Sequence, residues 1–172
     1  DRPIAIGNPR FLILGMGRIG SGAYDELREQ FDGEILGIEH KQDLVDLHKT
    51  KGRNVVQGDA SDTDFWEKLD RAPNLELVLL AMPHHAGNMF AVEQLKKLNY
   101  QGKISAIVQY SDDAAALRES GVHSVYNLYE AAGAGFVDHV IYELLQDSEK
   151  NAAQAEDTVQ VPDPKLNAEP HS

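Results

Sequence analysis

The sequence predicts an α/β fold: a parallel sheet of about six strands flanked by helices, followed by a C-terminal helix suited to dimerisation. Three observations predict it. Short apolar runs alternate with segments of helical period from residue 11 onward, the pattern of successive βαβ units. The first apolar run ends in Gly15-Met16-Gly17-Arg18-Ile19-Gly20 and leads directly into a helix. The last helical segment carries its apolar residues in two adjacent columns, wider than a helix on a single sheet requires.

The elements follow in order. Residues 1–9, with two prolines and little periodicity, read as a linker. Phe11–Leu14 is the first strand. Ile19, Ala23, Leu27 and Phe31 recur every four residues and predict the apolar face of the first helix. A second strand spans about Glu34 to Ile38, and a helix with Leu44, Leu47 and His48 ends near Gly52. Asn54–Gln57 is a short third strand. Ser61 or Asp62 caps the next helix, which holds Phe65, Trp66 and Leu69. Leu77–Met82 is apolar at every position, as a central parallel strand should be, and Pro83 ends it. A helix over about 86–98, a strand over 104–108, a helix over 112–119 and a short strand at Ser124–Tyr126 complete the alternation.

The last helix is expected over 129–146. Its columns are Phe136, Val140, Leu144 and Val137, Ile141, Leu145. Two readings stay open for them, a well-buried terminal helix or a subunit interface. Residues 147–172 are acidic and lack aromatics, and they are expected to form a disordered tail. The folded domain is thus expected over 10–146.

Composition narrows the function classes. The chain has 172 residues, 42% hydrophobic and 26% charged, ordinary for a globular protein with a core. A net charge of −12 argues against nucleic acid as a partner, because phosphates would be repelled. There is no cysteine, so disulfides, thiolate chemistry and cysteine-ligated zinc are excluded. No run of apolar residues is long enough for a membrane span, and no signal peptide is expected. Asp1 stands first instead of Met, so a longer parent chain is expected, with room for a membrane part.

The chemistry concentrates at the glycine loop. Gly15 permits the tight turn, Gly17 lets backbone approach a phosphate, and Gly20 lets the helix pack close to the strand. N–H groups at the helix start, Met16 to Ile19, then hold phosphate oxygens with the help of the helix dipole. Arg18 adds a charge-assisted bond to phosphate, or is simply a solvated arginine. Glu39 closes the second strand, where a carboxylate accepts from ribose hydroxyls and repels a 2′-phosphate. His40 follows it. Gly58-Asp59-Ala60 lies where adenine is expected; Asp59 accepts from the adenine amino group or caps the following helix. Ala81 and Met82 border the nucleotide. This arrangement is a Rossmann-type site for an adenine nucleotide, AMP or NAD(H). Bulky His84 and His85 after Pro83 are expected to crowd a second nucleoside, which favours AMP. As adjacent residues they point in different directions, so joint metal ligation is not expected. His40, His48, His123 and His139 are scattered and read as structural or solvated. No catalytic constellation is visible, so the chain is expected not to be an enzyme.

The segments FLILGMGRIG, GIEH, VVQGDASDTDFW and LVLLAMPHHAGN resemble the KTN/RCK (TrkA-N) regulatory domains of potassium transport systems, over roughly residues 10–146. The likeness is strongest to the C-terminal domain of Kef-type potassium/proton antiporters. The resemblance implies a homodimer and a nucleotide held at the glycine loop. It also implies a membrane transporter domain of the same polypeptide, gated from the cytoplasmic face of the inner (plasma) membrane. For Kef systems it further implies glutathione or its adducts as effectors. Two departures stand out. Pro83-His84-His85 replaces the usual acidic pair, although Asn88 follows as in relatives. The segment Ala106–Tyr110 lacks the arginine expected for glutathione, so no residue is assigned to such a site. Two rival functions remain: a small NAD-dependent oxidoreductase or redox sensor, and a soluble subunit that docks on a separate channel.

Overall fold

The computed structural model describes residues 5–69 and 72–158. They divide into a unit up to Tyr129 and a unit from Glu130 onward. The first unit holds six strands: β1 (Phe11–Leu14), β2 (Ile35–Glu39), β3 (Val55–Gln57), β4 (Leu77–Leu80), β5 (Lys103–Val108) and β6 (Ser124–Asn127). Helices α1 (Arg18–Gln30), α2 (Gln42–Thr50), α3 (Thr63–Leu69), α4 (His85–Lys97) and α5 (Ser111–Glu119) alternate with them, and α6 (Leu128–Thr158) follows β6.

The strands form one sheet in the order β3-β2-β1-β4-β5-β6, parallel at every pairing. This is the doubly wound Rossmann order, reversing direction between β1 and β4. β1 therefore lies between two neighbours and is buried on both faces, with Leu12, Ile13 and Leu14 at 0% exposure.

The period-two alternation of strands divides the core. Leu12, Leu14, Leu36, Ile38, Val78 and Leu80 face a cluster completed by Phe65 and Trp66 of α3, Val92 and Leu95 of α4, and Leu117 of α5. Phe11, Ile13, Ile35 and Val55 face the opposite cluster with Tyr24 of α1 and Val45 of α2. The central position expected for β4 holds, but Leu77 and Leu79 are only half-buried, whereas every residue of β1 is buried.

Three helical expectations need correction. The buried face of α1 is Gly20 and Tyr24, with Ala23 and Leu27 packed partly against the core. Ile19 and Phe31 are exposed, because α1 lies with Gly20 against β1 and turns the predicted column off axis. In α2, Val45 and His48 are buried while Leu47 is exposed. The last helix does not stop at 146 but continues to Thr158, so 147–158 is helical, not the start of a disordered tail. Seven of its twelve residues are Ala, Glu, Gln or Lys, good helix formers, and extending an existing helix needs no new nucleus. The rest of the predicted tail, 159–172, lies outside the described residues, as do positions 1–4 of the linker.

Candidate functional site

The carboxyl ends of the strands open into a cleft of about 530 Å³ at the point where strand order reverses. Parallel sheets bind ligands there because neighbouring crossovers run to opposite faces and leave a crevice between the loops. The glycine loop lies in this crevice. Gly15 has φ +97°, and a Cβ there would stand 2.6 Å from the Ala81 carbonyl oxygen. Only glycine satisfies both conditions. Its N–H donates to Ile38 O (3.0 Å), which ties the loop to the end of β2.

Gly17 is the N-cap of α1 and supplies no capping side chain. Ser21 N donates to Gly17 O at 2.9 Å. The N–H groups before it have no intrahelical acceptor, which makes this end of α1 a ready anion site. Nothing lies within 4 Å of where a Gly17 Cβ would be, so the loop surface is open there. Gly20 does the opposite work. An added Cβ would stand 1.9 Å from Gly15 O, so its absence sets the approach of α1 to the loop.

Of the residues assigned from sequence, Gly15, Gly17, Arg18, Ile19, Glu39, His40, Gly58, Asp59, Ala60, Ala81 and Met82 line the cleft. Met16 and Gly20 do not. The Met16 side chain is buried, seated over Gly37, where an added Cβ would meet its Sδ at 2.7 Å. Met16 therefore shapes the loop through its backbone, and Gly20 does so through packing.

Glu39 is 6% exposed, and its carboxylate is engaged on both oxygens. Oε1 accepts from Met16 N at 3.4 Å, and Oε2 accepts from Lys41 N at 3.0 Å. His40 Nδ1 stands 3.1 Å from Oε2. Each carboxylate oxygen has two acceptor directions, so room remains for a hydroxyl donor from the cleft. Asp59 accepts from both the N–H and the hydroxyl of Ser61 (2.8 and 2.6 Å). These bonds hold its carboxyl below the usual range, the Ser61 hydroxyl contributing most. Capping of α3 falls to Asp62, whose carboxylate accepts from Asp64 N at 3.0 Å.

The cleft continues past Pro83, His84 and His85 to Ile107, Gln109 and Asp113. The two histidines line it. His85 Nδ1 is 3.6 Å from Asp113 Oδ1, beyond hydrogen-bond reach. Asn88 is 3% exposed and donates to Met82 O at 3.3 Å. Its Oδ1 and His85 Nδ1 are buried without a hydrogen-bond partner among the described residues. Sequence reasoning missed this far side, Gln109 and Asp113 above all. Its only linear signal was position, at the end of β5 and the start of α5. His48 was read as structural or solvated; it is buried, and its Nε2 lies 2.7 Å from Met16 O. Among the described residues, no cluster of three His, Cys, Asp or Glu is placed to hold a metal. No helix among them is long and apolar enough to cross a membrane.

A glycine loop opening a helix beneath a doubly wound parallel sheet, with a buried carboxylate closing β2, defines the Rossmann class of domain. Within that class the chain belongs to the TrkA-N domain family, which matches residues 11–128. Solved structures share the fold. The TrkA-N domain of the inner membrane protein ybaL from Escherichia coli is 22% identical with a TM-score of 0.68, over 78% of this chain and 98% of that one. The Kef CTD of Shewanella denitrificans in its AMP-bound form is 21% identical with a TM-score of 0.61, over 85% of this chain and 91% of that one. The GsuK channel bound to NAD is 20% identical with a TM-score of 0.61, over 73% of this chain and 22% of that one. A curated relative, an uncharacterized protein of Methanothermus fervidus, is 26% identical over 128 residues, 72% of this chain. The chain spans only 20% of that relative's length.

Proposed function

We propose that the chain is a regulatory domain that binds one adenine nucleotide, AMP or NAD(H), and gates potassium efflux by an attached Kef-type potassium/proton antiporter. In this reading it works at the cytoplasmic face of the membrane. The observation that carries the reading is the glycine loop: the uncapped start of α1 opens into the cleft that Glu39 and Asp59 also line. Phosphate sits on the N–H groups of the loop beside Arg18, the ribose hydroxyls donate to Glu39, and adenine lies by Asp59. Membership of the TrkA-N family and likeness to an AMP-bound Kef domain and an NAD-bound channel support the assignment.

The second copy in the functional unit docks on α6. No residue described in α6 is buried, and Phe136, Val137, Ile141, Leu144 and Leu145 are exposed together on it. A patch of that kind needs a partner in water. Its two columns at spacing four match the seam of paired helices, so a second α6 is the occupant. Nucleotide binding then biases the arrangement of the two copies, and the membrane part of the polypeptide reads that bias.

Calorimetry against AMP, NAD, NADH and NADPH under identical conditions tests the site. AMP or NAD(H) is expected to bind, with NADPH weaker because Glu39 repels the 2′-phosphate. Failure of every adenine nucleotide to bind would overturn the reading. Sustained NADH oxidation with a candidate substrate would replace it with an oxidoreductase.

A further inference from the structure

Met16, between two glycines of the loop, is held at four points, one of them the Ser21 hydroxyl, which donates to its carbonyl at 3.3 Å; the other three converge from elsewhere in the fold. Its side chain fills the notch at Gly37, its N–H donates to Glu39 Oε1, and its carbonyl accepts from His48 Nε2 at 2.7 Å. A carbonyl only accepts, so the His48 proton is on Nε2. The other ring nitrogen, Nδ1, is 3.2 Å from Arg53 Nη1, and a guanidinium only donates. Nδ1 is therefore the acceptor, and Arg53 fixes the tautomer. Asp25 of α1 in turn grips Arg53 with both oxygens, at 2.9 Å to Nε and 2.7 Å to Nη2. The chain of contacts runs Asp25, Arg53, His48, Met16, from helix α1 through the approach to β3 and helix α2 to the loop.

The consequence lies in one peptide unit. The Met16 carbonyl and the Gly17 N–H belong to the same planar peptide, which is trans, so they point in opposite directions. Turning the carbonyl to His48, in the buried interior, turns the Gly17 N–H away from it, and Gly17 lines the cleft. Glycine at position 17, one end of this peptide, leaves it freer to rotate if nothing holds it.

We propose that His48, with its tautomer set by Arg53 and Asp25, is a positioning residue that aims the Gly17 N–H at the phosphate. This rests on the nucleotide reading of the cleft. A residue that is merely structural would lower affinity for every ligand alike. A residue that aims one N–H at phosphate affects only ligands that carry one.

The test compares AMP with adenosine by calorimetry on the parent chain, His48→Leu, His48→Gln and Arg53→Met, with a thermal melt of each. The parent is expected to prefer AMP. In His48→Leu that preference should shrink about tenfold or more, the scale of one misdirected charge-assisted hydrogen bond, with adenosine affinity unchanged. His48→Gln keeps a donor and should recover part of the preference; Arg53→Met should lose part of it. Should His48→Leu fail to fold, Arg53→Met, which leaves the ring in place, carries the comparison. An unchanged preference in the folded variants, or an equal fall for both ligands, would overturn the proposal while leaving the site intact. A parent that binds neither ligand would instead remove the nucleotide reading, and this inference with it.

Discussion

Two glycines of the loop, three residues apart, should separate folding from binding. Gly17 has extended backbone (φ −74°, ψ −155°) that any residue adopts, and open space where a Cβ would go. As an N-cap, Asp is at least as good as Gly, so Gly17→Asp should leave stability within about 0.5 kcal/mol of the parent. Its carboxylate, however, occupies the anion site. Two unit charges about 4 Å apart repel by on the order of 4 kcal/mol at an effective dielectric of about 20. That is roughly a thousandfold loss of affinity for a phosphate-bearing ligand. Gly20→Ala is the converse. Its Cβ would lie 1.9 Å from Gly15 O, so α1 must retreat by about 1.5 Å to restore an ordinary contact. Overpacking of this kind costs roughly 1–3 kcal/mol or more, while the helix preference for Ala returns at most about 1 kcal/mol. A net loss of about 2 kcal/mol lowers the melting temperature by roughly 4–8 °C. Paired thermal melts and calorimetry with AMP read both effects. AMP binding to Gly17→Asp with parental affinity would refute placing phosphate on the loop. A Gly20→Ala protein as stable as its parent would refute the packing argument.

Other predictions follow from the same contacts. Arg53 holds the Asp25 carboxyl below its ordinary value, mainly through their hydrogen bond. A depressed folded pKa stabilises the fold above the unfolded value of 3.8, and that contribution is lost as pH falls through the lower folded value. The stability gap between the parent and Asp25→Asn should therefore be constant near neutrality and close in strong acid; urea titrations at several pH values would show a constant gap if the pair were irrelevant. Replacing Ile141 and Leu145 together by Asp should turn a dimer into monomer without lowering the melting temperature of the Rossmann unit. Sedimentation of parent and variant decides this, and an unchanged dimer would move the interface elsewhere.

The alternation of strands and helices and the place of the phosphate loop were legible because they depend on local pattern. Apolar runs of four to six residues separated by helical periods leave few topologies, and a strand-glycine-loop-helix sequence places the anion site at the start of α1. Glu39 and Asp59 were legible for the same reason, since each ends a strand at the side where the crevice opens. Helix faces were less so: the column Ile19-Ala23-Leu27-Phe31 is periodic, yet the close contact of Gly20 with Gly15 rotates α1 until Ile19 faces the cleft. The extent of α6 is not legible from composition, because low apolar content reads as disorder while local propensity alone sustains a helix already begun.

By itself, then, the sequence determined the elements, their alternation and the phosphate loop, all of which are set by residues near one another in the chain. The tertiary structure decided which side chains meet across it. His48 lies 32 positions from Met16 and Arg53 lies 28 from Asp25, and no period or spacing links such pairs. Only the packing of α1, α2 and the loop against one sheet brings them into contact, because a hydrogen bond requires its partners within about 3 Å and the chain reaches that distance only by folding.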